Sequence, residues 1–374
     1  GVIFICTYRE NEVDASHPLI KAIEKIKNKK GKVEYLHLDN LNVHAVTEMI
    51  SNIFNCNRED AYILAKIVHE KTLGNPFYII EFIKYCNEKH LLYYDECDKR
   101  WKWNESDIRN GKTSDNVVDF LIEKVKTLPQ VTKELISMAA CIGNRFDIKI
   151  LSEISRKNLE NLYECLKPAI TGEMIYVLEK NDLSSKKVEF MFCHDKFQQA
   201  GYFSLSEEDK KIYHMKIANY YEIIEGLTNT SSLFSAAEHY SKVLDCINKE
   251  EDIKRVINIF LNAAKAARFT SAFDTARLYL ELIINIAPEI FKTDDLFMQP
   301  IYVEYHLVLF SLADFEKSDK IYSKIEKIIK DPVQLVNACC VQLVSLSNRS
   351  RYKEAFYLGI SLLEKLGVSY PEDK

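Results

Sequence analysis

The chain has 374 residues, 50 lysines and arginines against 55 aspartates and glutamates, and 47% hydrophobic residues. That length suits two or three domains, and the near-balanced charge argues against a broad nucleic-acid-binding face. No run of about 18 apolar residues occurs, so a membrane-spanning helix is not expected.

Ten glycines and eight prolines are few for this length, since average usage would give about 26 and 19. Long helices with short connections are expected, and an all-β fold or a glycine-rich loop enzyme is not. Ten cysteines are scattered without a CxxC pair. They read as small buried hydrophobes of a reducing, cytoplasmic setting rather than as zinc ligands or disulfides.

In chain order, residues 2–8 open with Val2-Ile3-Phe4-Ile5-Cys6, a short β-branched and aromatic run that predicts a buried strand. Such a strand needs neighbours for its backbone, which implies sequence ahead of Gly1. Residues 18–30 predict a basic amphipathic helix stopped by Gly31, and residues 33–38 a second strand. This is the order of the edge of a parallel α/β sheet. Helices follow near 43–55, 58–72 and 76–89, then a hairpin from 91–95 and 100–103 with an acidic, loosely specified turn. A helix over 116–127 stops before Pro129. Helices near 130–142, 147–154 and 157–169, strands over 174–179 and 188–192, and a helix from about His194 have the order of a winged helix-turn-helix.

From about residue 206 the pattern is helical to the end. An aromatic followed three residues later by a small residue recurs as Phe273 and Ala276, Phe315 and Ser318, Tyr352 and Ala355. The spacing matches tetratricopeptide-like helix pairs, with long irregular bundle helices as the alternative.

Gly111-Lys112-Thr113 is not a phosphate loop, because Ser106 stands where the first glycine is required and Trp101-Lys102-Trp103-Asn104 lies just before, so the backbone amides could not wrap a phosphate. No metal-spaced carboxylate set or catalytic constellation is present. Arg9, in the charged stretch after the first strand, has the fork geometry to reach a phosphate, or lies in a solvated loop. Gly74 and Pro76 end one helix and start the next, or face an adenine ring. His194 follows the second wing strand at a helix start, either packed there or directed at a phosphate. Trp101 and Trp103 alternate on a strand and are expected to pack on one face.

Five stretches occur in order: Thr7-Tyr8-Arg9-Glu10-Asn11-Glu12-Val13 with His17-Pro18-Leu19, Gly74-Asn75-Pro76-Phe77-Tyr78, Arg100-Trp101-Lys102-Trp103, residues 139–147, and residues 192–202. Together they resemble the predicted-ATPase module of large multi-domain signalling proteins. In these a serine/threonine kinase precedes a STAND-class, AAA-type ATPase, and tetratricopeptide-like repeats, a GAF domain and a histidine kinase follow it.

The resemblance implies a mainly α chain with a truncated α/β edge. Residues 1–41 would be the end of the ATPase core, 42–128 a helical lid with a hairpin, 129–205 a winged helix and 206–374 the repeats. It also implies that Arg9 reads the γ-phosphate, Gly74 and Pro76 line the adenine site, and His194 holds the ADP β-phosphate. ATP or ADP with magnesium would bind in the full-length protein. The phosphate loop would lie before Gly1, so this piece alone is expected to hold no nucleotide and no complete catalytic site. Its partners would be the upstream core and kinase in the same chain, and proteins on the repeats, with no membrane contact.

Two other readings remain: a non-enzymatic repeat scaffold and a winged-helix transcription regulator. Against the second, the expected recognition region carries Lys157 and Lys167 against Glu160 and Glu164.

Overall fold

Short polar side chains start most of the helices. In the computed structural model Asn42, Asn57, Asn75, Asp147, Asn158, Ser206, Asn229, Asp314 and Asp331 each accept a backbone N–H of the helix that follows. Each thereby satisfies a donor that the first helical turn leaves without a partner. The structure describes residues 3–8, 18–28, 31–110, 121, 124–179, 188–227, 229–287 and 295–368. Most of these are helical. The chain divides into two compact units, residues 1–120 and 121–374.

The first unit contains α1 (Pro18–Asn28), α2 (Val43–Phe54), α3 (Arg58–Thr72), α4 (Pro76–Glu88), strands β1 (Leu92–Asp95) and β2 (Arg100–Trp103), and α5 (Glu105–Asn110). Val46, Ile50, Leu64, Val68, Ile79 and Phe82 form its core. Trp101 and Trp103 both lie against Phe54, with ring centroids 5.3 and 6.1 Å away, so the hairpin packs one face on α2 as expected. Its turn is better specified than the sequence suggests. The Asp95 carboxylate accepts the N–H groups of Cys97 and Asp98 and pairs with Lys102. The Lys102 ammonium and these N–H groups hold its pKa down at about 2.

Of the two expected leading strands, 2–8 and 33–38, neither is formed over the described residues. Residues 3–8 and 31–42 have no regular structure, and Ile3, Phe4, Ile5, Leu36 and Leu38 are more than four-fifths exposed. An apolar run becomes a strand only where another strand takes up its N–H and C=O groups, and neither segment is paired with one among the described residues. The expected helix over 116–127 lies largely outside the described residues, with 121 and 124–126 helical.

The second unit opens with α6 (Gln130–Ile142), β3 (Arg145–Asp147), α7 (Ile148–Ser155), α8 (Leu159–Thr171), β4 (Ile175–Glu179), β5 (Val188–Phe192) and α9 (Asp195–Phe203). The strands form an antiparallel sheet in the order β3-β5-β4. Phe146 pairs with Phe190 across it, and Phe146, Phe190 and Phe192 are all buried. Close approach joins α9 to α6: a Cβ on Gly201 would lie 3.2 Å from the Ala140 methyl and 3.3 Å from the Ile136 carbonyl oxygen.

The arm follows as α10 (Glu207–Asn219), α11 (Thr230–Ser241), α12 (Glu250–Phe269), α13 (Phe273–Ile286), α14 (Asp295–Ser311), α15 (Phe315–Ile328), α16 (Pro332–Asn348) and α17 (Tyr352–Lys365). A π-helical turn, Tyr220–Ile224, extends α10. The last six described helices form three pairs, and the recurring aromatic is the first residue of each second helix. The small residue three positions on is buried in every pair: Ala276, Ser318 and Ala355. So are the residues seven positions after that, Ile283, Ile325 and Leu362, which places one stripe of each second helix against its partner.

The three inter-helix turns are also alike. Ser271, Ala313 and Ser350 adopt left-handed φ of 62°, 59° and 59°. The next residues, Ala272, Asp314 and Arg351, donate N–H groups back to Ala267, Leu309 and Leu346. This closes a helix end without glycine. Polar contacts join successive pairs: Tyr305 donates to Glu281 at 3.0 Å, and Asp319 accepts from Gln342, Arg349 and Arg351 at 2.7–3.0 Å.

Filling the fully buried Ala276 position should therefore be costly. Ala276→Leu is expected to destabilise the second unit by about 1–3 kcal/mol through overpacking. Leu278→Ala, at an exposed position of the same helix, should change stability by less than about 0.5 kcal/mol. Urea unfolding midpoints of the two variants give the comparison, and equal shifts would contradict the packing described.

Candidate nucleotide-contact residues

Gly74 stands at the corner between α3 and α4. Leu73 before it has φ 52° and Gly74 itself φ 76°, so two successive residues are left-handed. The Gly74 carbonyl accepts the Leu41 N–H at 2.8 Å. A Cβ on Gly74 would lie 1.9 Å from the Leu41 carbonyl oxygen. Only glycine fits this contact, which fastens the segment leading into α2 to the α3–α4 corner.

Asn75 caps α4 by accepting the N–H groups of Phe77 and Tyr78, and Pro76 takes the first helical position, where a missing N–H costs nothing. The Pro76 ring is exposed, while Phe77 and Tyr78 are half-buried with centroids 5.6 Å apart. Deeper in α4, Glu81 is buried and pairs with the half-exposed Lys84 at 3.2 Å. Both readings of this turn therefore share one geometry: a tight backbone corner that leaves an apolar ring at its surface.

His194 lies in the second unit, between β5 and α9. It caps the helix: its Nδ1 accepts the Lys196 N–H at 3.2 Å. The Asp195 carboxylate lies 2.5 Å from the same nitrogen. One nitrogen cannot accept from Lys196 and donate to Asp195 together. A neutral ring with its proton on Nε2 caps the helix, whereas a proton on Nδ1 pairs with Asp195. The His194 side chain is 28% exposed.

Gly74 and Pro76 are thus brought together in one unit, and His194 is held at a helix start in the other. Arg9 lies outside the described residues. Cavities of about 420 and 210 Å³ occur elsewhere, around Asn219, Tyr240, Lys249 and Arg255 and around Leu244, Ile253 and Ile286. None of the candidate residues lines either. No group of three or more metal-ligating side chains occurs among the described residues, and no helix there is long and apolar enough to cross a membrane.

Sequence pattern did not single out a second polar centre. His214 on α10 and His239 on α11 face each other, buried, with Nδ1 atoms 2.9 Å apart. The available signal was a histidine on an apolar helix face, which by itself names no partner.

No protein-family model matches the chain. It is similar to hybrid signal transduction histidine kinase G of Dictyostelium discoideum, 21% identical over 387 residues. That match covers 88% of this chain and 11% of the relative, so the chain spans about a ninth of the relative's length. Among solved structures it is similar to a Signal Transduction ATPase with Numerous Domains (STAND) protein with a tetratricopeptide repeat sensor from Pyrococcus horikoshii. That likeness has 16% identity, covers 89% of this chain and 48% of the other, and has a TM-score of 0.35. At 0.35 the superposition does not establish a shared architecture.

Gly74→Ala should be severe, because strain at positive φ adds to a clash with backbone. A loss of more than about 2 kcal/mol is expected in the first unit, against about 1 kcal/mol for loss of the cap in Asn75→Ala. Thermal unfolding checks the ranking, and a near-silent Gly74→Ala would contradict the described corner.

Proposed function

We propose that the chain is the carboxy-terminal part of a STAND-type regulatory module, switched by exchange of ADP for ATP within a signal-transduction protein that also carries a kinase. The observation that carries this reading is similarity along 88% of the chain to a signalling histidine kinase. The ordered motifs that resemble the ATPase module of such proteins add to it.

The order α6-β3-α7-α8-β4-β5, with its three-stranded sheet, supports a winged helix after the lid. Lys167 on α8 is paired with Glu164 at 2.7 Å, which weakens the case for a phosphate-reading helix and a DNA-binding role. The helix pairs of the arm suit a surface for protein partners.

In this proposal nucleotide with magnesium is gripped by a phosphate loop elsewhere in the whole protein. Arg9 senses the γ-phosphate, the exposed Pro76 ring lies on adenine, and His194 contacts the β-phosphate of ADP. The amino end of α9 carries partial positive charge that favours such a contact, while Asp195 opposes it. Switching requires contacts that differ between ADP and ATP, and Arg9 and His194 supply them. A second reading, a scaffold that binds only proteins, is favoured by the capping role that already accounts for His194.

His194→Asn separates the two. Asparagine keeps the cap on α9 and removes the imidazole, whereas His194→Ala removes both. ADP retained by the full-length gene product after gel filtration is the readout. The expectation is at least tenfold weaker ADP binding in both variants, with stability lost only in the alanine form. Undiminished ADP binding in the asparagine variant sinks the phosphate role, and tight ADP binding by residues 1–374 alone sinks the expectation that the grip lies elsewhere.

A further inference from the structure

Three helices meet at a pair of imidazoles. His214 on α10 and His239 on α11 are 2% and 3% exposed. Their Nδ1 atoms lie 2.9 Å apart, and the Tyr202 hydroxyl, near the end of α9, lies 3.0 Å from His214 Nε2. Ring centroids run from Tyr202 through His214 and His239 to Tyr221 at steps of 5.8, 5.1 and 6.3 Å.

This chain of bonds closes with both rings neutral or with one added proton, but not with two. One Nδ1 donates, the other accepts, and the tyrosine hydroxyl takes the role that the remaining nitrogen leaves open. Two imidazolium ions would set two N–H groups head to head at 2.9 Å. No carboxylate among the described residues hydrogen-bonds to either ring. The charged groups around the pair are Lys210 on α10, and Glu238 with the adjacent Lys242 at the end of α11. Two lysines oppose a proton and one glutamate favours it. Burial is the largest reason that both histidines stay below their ordinary range, followed by Lys242 for His214 and by the His214 ring itself for His239.

The position of the pair gives it consequence. On one side α9 is bound to α6: Gln198 donates to the Ala140 carbonyl at 3.1 Å, and the Ser204 and Ser137 hydroxyls are 2.9 Å apart. On the other side α11 belongs to the arm core, where Ala236, Ala237 and Tyr240 pack with Val256 and Phe260 of α12. The pair therefore lies at the joint between the sheet-bearing domain and the arm.

We propose that this joint is a proton-operated latch, in which proton uptake by His214 and His239 releases α11 from α9 and α10. In the closed joint the facing nitrogens exclude a second proton and burial with Lys242 and Lys210 opposes the first, whereas the opened joint returns both rings to water, where a histidine titrates near pH 6.5. Above that pH neither state binds the protons, and opening does not depend on pH. Below it only the opened state takes them up, so closure is lost as pH falls. The opening constant rises about tenfold per pH unit for each proton taken up, and about a hundredfold when both are.

Hydrogen exchange of residues 1–374, expressed as protection factors, tests this between pH 7.5 and 5.5. Amides of α10 and α11 should lose at least tenfold in protection over that range while those of α12 and α13 keep theirs. The His214→Gln/His239→Gln double variant should show no such dependence, and Tyr202→Phe should lower protection at every pH with the wild-type slope. A wild-type ratio of α11 to α13 protection that stays constant overturns the proposal, as does the same slope in the double variant. If that variant does not fold, the wild-type series decides alone.

Discussion

A side chain no bulkier than a methyl or hydroxymethyl, at one position in each helix pair, sets how near the two helices of the arm can come. Ala276, Ser318 and Ala355 hold that place. Because the contact is backbone-close, the residues one and two turns further along reach the partner helix and make the core. The turns inherit the same constraint. Each pair must reverse direction within a few residues, and each does so through one left-handed residue that is not glycine. That conformation carries strain, which the buried stripe on either side has to outweigh.

What could be read from sequence divides along the same line between local and distant causes. The bounds of α3, Arg58–Thr72, follow from a cap at Asn57 and a left-handed residue at Leu73, both of which lie within a few positions of the ends. The repeat motif was legible because its aromatic and small residues sit three apart on one helix. The leading strands are not formed over the described residues because an apolar run states only that burial would be favourable, and pairing depends on a partner that no local pattern supplies. β3 was missed because three residues with one buried phenylalanine are too few to show a period.

The candidate residues show the same division. Gly74 and Pro76 were recognisable as a helix boundary, and the structure adds why alanine cannot replace the glycine: the Leu41 backbone lies where its Cβ would be. His194 was recognisable as the residue at a helix start but not as its cap, since histidine is not among the usual capping residues. His214 and His239 are 25 positions apart on different helices. Their meeting depends on how α10 and α11 pack, which no spacing along the chain announces.

The likeness of the three turns bears on how the arm responds to load. Each pair is closed by its own short-range bonds and, among the described residues, packs chiefly on its neighbours, so the arm is a row of units of about 40 residues rather than one block. Under load such a row yields one pair at a time. Each pair released adds a similar length of slack and leaves the others intact.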